Sequence, residues 1–274
     1  MLDLAAWTGL DAAARDAAYD NNAAVPDVAR WREARDAASA EWRKARPARL
    51  DLAYGPAERN RWDLFPAKAP GAPCLAFIHG GYWQRNRRED FACMAEGVAA
   101  NGWSAAIMGY TLAPQATLTE IVAETQAALN WLMVERAGQG LAGPLILAGW
   151  SAGAHLAVMS LGHPAVTAGL AISGVYDLGP IRGTGLNDAL SLTDAEVAAL
   201  SPLKLPPTLK PLIIAYGARE LARLVEDSRD LYALRAAAGE PDALLEIPDA
   251  DHFSILDQLQ RPDGAFVQAL AERY

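Results

Sequence analysis

The sequence predicts an α/β protein: a mostly parallel central sheet with helices on both faces and a small cap-like insertion. Three observations carry that expectation. From residue 75 onward, short apolar runs alternate with helical stretches, as parallel strands joined by crossover helices require. A Gly149-Trp-Ser-Ala-Gly153 turn lies directly between an apolar run and a helical stretch. The chain has 274 residues, enough for a single large sheet domain over 1–274 that buries roughly three quarters of its unfolded surface without disulfides or metals.

Residues 1–46 are Ala-rich and helical in pattern. Arg49 to Ala53 and Arg61 to Phe65 read as short strands joined by a turn containing Gly55 and Pro56. The alternation then begins with a strand at Leu75 to Ile78, a helix at Phe91 to Ala100 and a strand at Ser104 to Met108. Thr117-Leu-Thr-Glu120 is a capping box, in which the threonine hydroxyl and the glutamate exchange bonds with each other's backbone amides. The helix it opens runs to about Glu135. Strands are expected at Leu145–Leu147, Leu170–Ser173, Leu212–Tyr216 and Leu244–Ile247, and helices at Ala152–Leu161, Leu221–Ala238 and Ile255–Arg273. Residues 177–207 break the rhythm. They are rich in Gly, Pro, Ser and Thr and too long for a simple connection, so they read as an insertion over the C-terminal edge of the sheet.

Composition narrows the function classes. The net charge is −9, which disfavours nucleic acid or an anionic membrane as a partner, since both need clustered Lys and Arg. The short basic group Arg85, Arg87, Arg88 reads first as a solvated loop face, and second as a lure for an anionic substrate, because it follows a motif that carries chemistry. Cys74 and Cys93 form no Cys-x-x-Cys pair and no zinc spacing, so neither metal nor cofactor is expected. Residues 137–176 carry no Asp, Glu, Lys or Arg, but Gly and Pro punctuate them too often for a membrane span. With no signal peptide evident in the acidic start, a cytoplasmic protein is expected. Its partner should be a small-molecule substrate, and a homodimer stays open.

In the Gly149–Gly153 turn, small neighbours let the chain bend sharply enough to hold the Ser151 hydroxyl above the sheet, while the helix from Ala152 aims its first amides at the same spot. His79-Gly-Gly-Tyr-Trp83 follows the strand Leu75–Ile78, and its glycines allow successive N–H groups to point into a cavity. The backbone amides of Gly81, Tyr82 and Ala152 are the expected oxyanion donors, each able to contribute about 3 kcal/mol to a transition state. A serine needs a base. Of the four histidines, His155 lies one helical turn below Ser151 and reads as packing, His163 precedes Pro164 and reads as surface, and His79 reads as a loop organiser. His252 follows the last strand and completes the chain order Ser, acid, His. The acid should follow the preceding strand, where Glu220 stands. Asp227, Asp249 and Asp251 compete, but the first falls inside a helix and the others crowd His252. Tyr82, Trp83 and Trp150 are candidate walls for an aromatic substrate, with ordinary packing beside the turn as the alternative.

These segments, with Tyr19-Asp-Asn-Asn22, Tyr110-Thr-Leu-Ala-Pro114, Ser173-Gly-Val-Tyr-Asp-Leu178, Asn187-Asp-Ala-Leu190, Ser201-Pro202 and His252-Phe-Ser254, make the chain resemble the kynurenine formamidase (arylformamidase) branch of the α/β hydrolases over nearly its whole length. The Tyr-Trp ending of the second motif sets this branch apart from His-Gly-Gly-Gly esterases. The resemblance implies an α/β-hydrolase fold, a Ser151–His252–Glu220 triad and hydrolysis of N-formyl-L-kynurenine to L-kynurenine and formate. The stretch Leu221-Ala-Arg-Leu-Val-Glu-Asp-Ser228 departs from the family's usual segment after the acid. Hydrolysis of small acyl or aryl esters is the alternative activity.

Overall fold

Side-chain alternation along the strands decides how the layers assemble. In the computed structural model, which describes residues 7, 9–45, 47–239 and 242–274, eight strands form a single sheet. They are β1 (Arg49–Ala53), β2 (Arg61–Phe65), β3 (Cys74–Ile78), β4 (Ser104–Met108), β5 (Leu145–Trp150), β6 (Ala168–Ile172), β7 (Leu212–Gly217) and β8 (Ala243–Ile247). Their order is β1-β2-β4-β3-β5-β6-β7-β8. β1 and β2 pair antiparallel, as does β2 with β4, and every later pairing is parallel.

Successive residues of the central strands point to opposite faces. Ala76, Ile78, Leu147 and Ile214 join one apolar layer, and Leu75, Phe77, Ile146 and Ile213 join the other. The first layer receives the helices Leu118–Glu135, Ala152–Met159 and Ala222–Ala237; the second receives Val28–Ala45 and the C-terminal helical segments. Each fully buried Leu, Ile or Phe contributes roughly 1.5–3 kcal/mol, so two covered faces suffice without a cross-link. Both cysteines are free and buried.

Local chemistry sets the element ends. The Thr117 capping box forms as expected, and an unforeseen second one at Thr193–Glu196 opens the helix Asp194–Leu200 in the insertion. Among the described residues, the N-terminal segment includes the helices Ala12–Ala17, Asn21–Ala24 and Val28–Ala45; the first two of these are capped by Asp11 and Asp20. Residues 1–6, 8 and 46 of the expected 1–46 segment lie outside the described residues.

The structure departs from the sequence reading at several places, four of them outside the pocket. The C-terminal helix is broken: Asp257–Gln260 ends, Pro262 and Gly264 intervene, and Ala265–Ala271 begins afresh, because proline lacks the amide a continuous helix needs. The expected helix at 91–100 starts as a 3₁₀ turn over Arg88–Ala95, where the Ser39 hydroxyl donates to the Asp90 carbonyl and accepts from the Cys93 amide. His163 is buried rather than on the surface; its ring accepts the Ala165 amide and meets the Asn130 side chain at 3.1 Å. The basic group 85–88 is no uniform solvated face. Arg88 is buried against Asp63 of β2, which has no exposure and needs a counter-charge.

The order of the strands creates the site. From β3 the chain moves outward to β4, then returns to β5 on the other side of β3. Such a reversal opens a crevice at the C-terminal ends of the two central strands. Residues 79–83 leave β3 there, and residues 151–153 leave β5.

Candidate active site

Ser151 sits at the end of β5 with φ 57° and ψ −121°, a conformation that non-glycine residues rarely adopt. Its neighbours must be bare. A Cβ on Gly149 would lie 2.1 Å from the Gly153 carbonyl oxygen, and one on Gly153 would lie 2.1 Å from that of Ile78. The strand runs on to Trp150, beyond the expected end at Leu147, because Trp150 pairs with Ile172 and the Ser151 amide donates to the Ile172 carbonyl.

Two further side chains converge on this hydroxyl from later strand ends. His252, after β8, places Nε2 3.1 Å from Ser151 Oγ. Its Nδ1–H donates to Glu220 Oε2 at 3.0 Å, which leaves Nε2 free to accept the serine proton. Glu220 Oε1 in turn accepts the Gly217 amide at 2.8 Å and the Ser173 hydroxyl. The glutamate side chain has no solvent exposure and the histidine 3%, so the relay is shielded from competing water. The Trp150 indole N–H donates to the His252 carbonyl at 2.8 Å, and Asp251 Oδ1 accepts the amides of Phe253 and Ser254. The histidine is thus clamped on both sides. A hydroxyl, an imidazole and a carboxylate in this order can transfer a proton and leave an alkoxide-like nucleophile.

The competing acids have other duties. Asp227 Oδ2 accepts the amides of Tyr176 and Asp177, and Oδ1 pairs with Arg223 at 3.0 Å. Asp251 caps the turn that carries His252. Neither touches the imidazole.

Opposite the relay, the His79–Trp83 turn bends through positive φ at Gly81 (116°), Tyr82 (50°) and Trp83 (57°). A Cβ on Gly80 would lie 2.8 Å from Ser151 Cβ, so the two turns pack backbone to backbone. The Asn86 side chain donates to the Gly80 carbonyl and holds the turn in place. Among the described residues, the amides of Gly81, Tyr82 and Ala152 donate to no protein acceptor. Free amides beside a nucleophile suit the oxygen of a tetrahedral intermediate.

The other histidines differ sharply from His252. His79 is fully buried, stacked on Tyr110 at 4.5 Å, and donates Nδ1–H to the Gly80 carbonyl. Burial lowers its pKa to about 3, so it organises the turn as a neutral ring. His155 donates Nε2–H to the Leu200 carbonyl at 2.7 Å, and burial lowers its pKa to about 4. It ties the helix below Ser151 to the insertion.

Ser151 and His252 open into a cavity of about 380 Å³, whose wall includes Tyr19, Asn21, Arg32, Tyr82, Arg85 and Leu186. Tyr82 and Trp150 line it. Trp83 does not: its positive φ turns the ring into the core, where it has no exposure and meets His155 edge-on at 5.0 Å. Among the described residues no group of three or more His, Cys, Asp or Glu could hold a metal ion. Nor is any described helix long and apolar enough to cross a membrane.

With this geometry, likeness to known proteins becomes informative. The family model described as BD-FAE matches residues 64–166, from the end of β2 past the Ser151 turn. A kynurenine formamidase of Salmo salar is 30% identical over 238 residues, covering 81% of this chain and 80% of the relative. This chain belongs to the kynurenine formamidase family. A second kynurenine formamidase, of Danio rerio, is 29% identical over 227 residues, covering 77% and 76%. The structure of a candidate thioesterase from Silicibacter sp. superposes with a TM-score of 0.83 at 25% identity, covering 93% of this chain and 98% of that one. The fold is that of the α/β hydrolases, and the protein is a hydrolase of the formamidase or esterase type.

In this member of the kynurenine formamidase family, sequence reasoning missed residues that act through others. Ser173 was legible only as part of a motif, yet its hydroxyl bonds Glu220. Asn21, in the Tyr19–Asn22 motif, donates to the Tyr82 hydroxyl at 3.0 Å. Arg32 gave no signal, because it lies on a helix whose sequence is charged on several sides.

Proposed function

We propose that this protein hydrolyses an aryl formamide, N-formyl-L-kynurenine, to L-kynurenine and formate, with Ser151 as nucleophile, His252 as base and Glu220 as the acid that orients it. The observation that carries the reading is the unbroken relay from Glu220 through His252 to Ser151, beside three unpaired amides. Membership of the kynurenine formamidase family supports the choice of substrate.

The proposed reaction runs in two acyl-transfer steps. Ser151 Oγ attacks the formamide carbon as His252 Nε2 takes its proton. The developing oxyanion rests on the amides of Gly81, Tyr82 and Ala152. The imidazolium, steadied by Glu220, returns the proton to the aniline nitrogen as the C–N bond breaks. Water, deprotonated by the same imidazole, then splits the formyl-serine ester and releases formate. An arylamine leaves more readily than an alkylamine because the ring delocalises the nitrogen lone pair. Tyr82 and Trp150 offer aromatic faces to that ring, and the small formyl group demands little of the acyl side.

Ester hydrolysis is the second reading. The same intermediate forms from an acyl ester, and the likeness to a candidate thioesterase favours it. Purified protein should hydrolyse N-formyl-L-kynurenine with a kcat/KM well above that for p-nitrophenyl acetate, and Ser151→Ala should lower kcat by about ten-thousand-fold or more on both. A formamide rate no better than the ester rate overturns the formamidase reading and leaves the esterase one.

A further inference from the structure

A second, shallower cavity adjoins the first and shares Arg32, Arg35, Arg85 and Asn86 with it, so a basic strip runs from the protein surface to the Ser151 pocket. The arginines along it are not equivalent. Arg35 pairs with Asp36 and lies 4.3 Å over the Phe91 ring. Arg59 donates to the carbonyls of Tyr110 and Asn86, and Arg87 pairs with Asp90 at 2.9 Å. Among the described residues Arg32, Arg59 and Arg85 have no carboxylate within ion-pair distance, and of these three Arg32 and Arg85 also line the Ser151 pocket. Arg32 is half-buried and held in place: it donates to the neutral Asn22 Oδ1 and lies 5.5 Å from the Phe253 ring, next to His252. Burial, then the like charges of Arg35 and Arg85, lower its pKa. Asp36 offsets this in part, but with no carboxylate ion pair among the described residues, two neighbouring guanidinium groups are stabilised by an incoming anion, even in a protein of net charge −9.

Among the described residues, the acidic groups of the same cavity form no ion pair with Arg32 or Arg85. Asp16 Oδ1 accepts the Gly185 amide, and Asp20 Oδ1 accepts those of Asn22 and Ala23.

We infer that Arg32 and Arg85 form a carboxylate-binding site that selects substrates bearing an anionic group on the leaving-group half. Guanidinium donors match a carboxylate in both charge and planar geometry. The assignment to the leaving-group half rests on the formamidase reading, because a formyl group has no room for a carboxylate; the site itself does not.

The test compares paired substrates that differ only in charge. One pair is N-formyl-L-kynurenine and its decarboxylated analogue. The other is the acetate esters of 4-hydroxyphenylalkanoic acids of increasing chain length and their primary amides. The wild type should prefer the carboxylate by about 10-fold or more in kcat/KM in at least one pair, and Arg32→Met/Arg85→Met should bring the ratio close to one. Because the readout is a ratio within each protein, partial misfolding of the variant cancels. If neither formamide is cleaved, the formamidase reading fails while the ester pair still decides this proposal. No carboxylate preference in either pair, or a preference that survives in the double variant, overturns it.

Discussion

The two sides of the cavity are built differently. The floor, formed by Ser151, His252, Glu220 and the turn at Gly81, stands on the tips of parallel strands. Its reactive side chains are tied to backbone or to each other, and those of Glu220 and His252 are almost wholly shut away from solvent. The wall, formed by Tyr19, Asn21, Asn22 and Arg32, comes from the N-terminal helices, which precede the sheet in sequence and lean over it. That wall meets the floor through a few side-chain bonds, chiefly at Tyr82, whose hydroxyl donates to the Tyr19 carbonyl at 2.7 Å and accepts from Asn21. The difference separates two tasks. Proton transfer tolerates little error in distance, and strand ends supply that rigidity. Substrate choice needs varied surface, which an appended segment can supply without disturbing the sheet.

Changes to the floor should therefore appear in kcat. After Ser151→Ala, the largest effect is expected for Glu220→Gln. The amide oxygen of glutamine satisfies the Gly217 amide and the Ser173 hydroxyl only if its NH₂ group faces His252 Nδ1. That forces the proton onto Nε2, where it blocks acceptance from Ser151. Loss of kcat by about a thousand- to ten-thousand-fold, with a native circular-dichroism spectrum, is the expected result. A drop of a few-fold only would mean that another group orients the imidazole.

The junction of floor and wall offers a cleaner separation. Tyr82→Phe keeps the backbone amide aimed at the pocket but removes both hydroxyl bonds to the N-terminal segment. We expect KM for the formamide to rise several-fold, kcat to hold within about two-fold, and stability to fall by about 1 kcal/mol in urea titration. A kcat loss larger than the KM change would place the N-terminal segment in the chemistry rather than in binding.

The layer beneath the floor should set acid stability, and its His155, which bonds the Leu200 carbonyl, should affect neither kinetic constant. His79 and His155 have pKa values lowered by burial to about 3 and about 4, from an ordinary 6.5. Below pH 6.5 the unfolded chain binds protons at both that the native protein refuses. Their contribution is thus complete above pH 6.5 and lost as pH falls toward the folded values. At pH 5 the loss is about 2 kcal/mol for each group. His155→Gln retains a donor for the Leu200 carbonyl and removes one titration. The difference in unfolding free energy between pH 7.5 and pH 5 should then shrink by about 2 kcal/mol. An unchanged difference would show that His155 does not resist protonation in the native protein.

Ser151, His252 and Glu220 were legible because each stands directly after an apolar strand in the expected order, and strand ends on a parallel sheet must share an edge. Gly80 and Gly81 were legible because glycines let successive amides point into a cavity; the structure adds that Gly80 packs against the Trp150 carbonyl and that Gly81 takes a positive φ beside the Arg85 carbonyl. The C-terminal helix misled, since its apolar spacing continues across Pro262 although the hydrogen-bond ladder cannot. Trp83 misled for another reason: its neighbour Tyr82 faces the cavity, but consecutive residues at positive φ send the two rings to opposite sides.

The amino-acid sequence by itself determined the parallel sheet, the strained serine turn and the identity of the three residues at its edge, because periodicity and glycine placement are local properties that constrain which strands can end together. Only the tertiary structure decided that Ser173 would hold Glu220, that Arg88 would neutralise a buried Asp63 while Arg85 has no carboxylate partner among the described residues, and that Arg32 would reach the Ser151 pocket from a helix far away in the chain. Those outcomes depend on which side chains meet across the fold. Charge pairing and burial are properties of neighbours in space, and no window of sequence contains them.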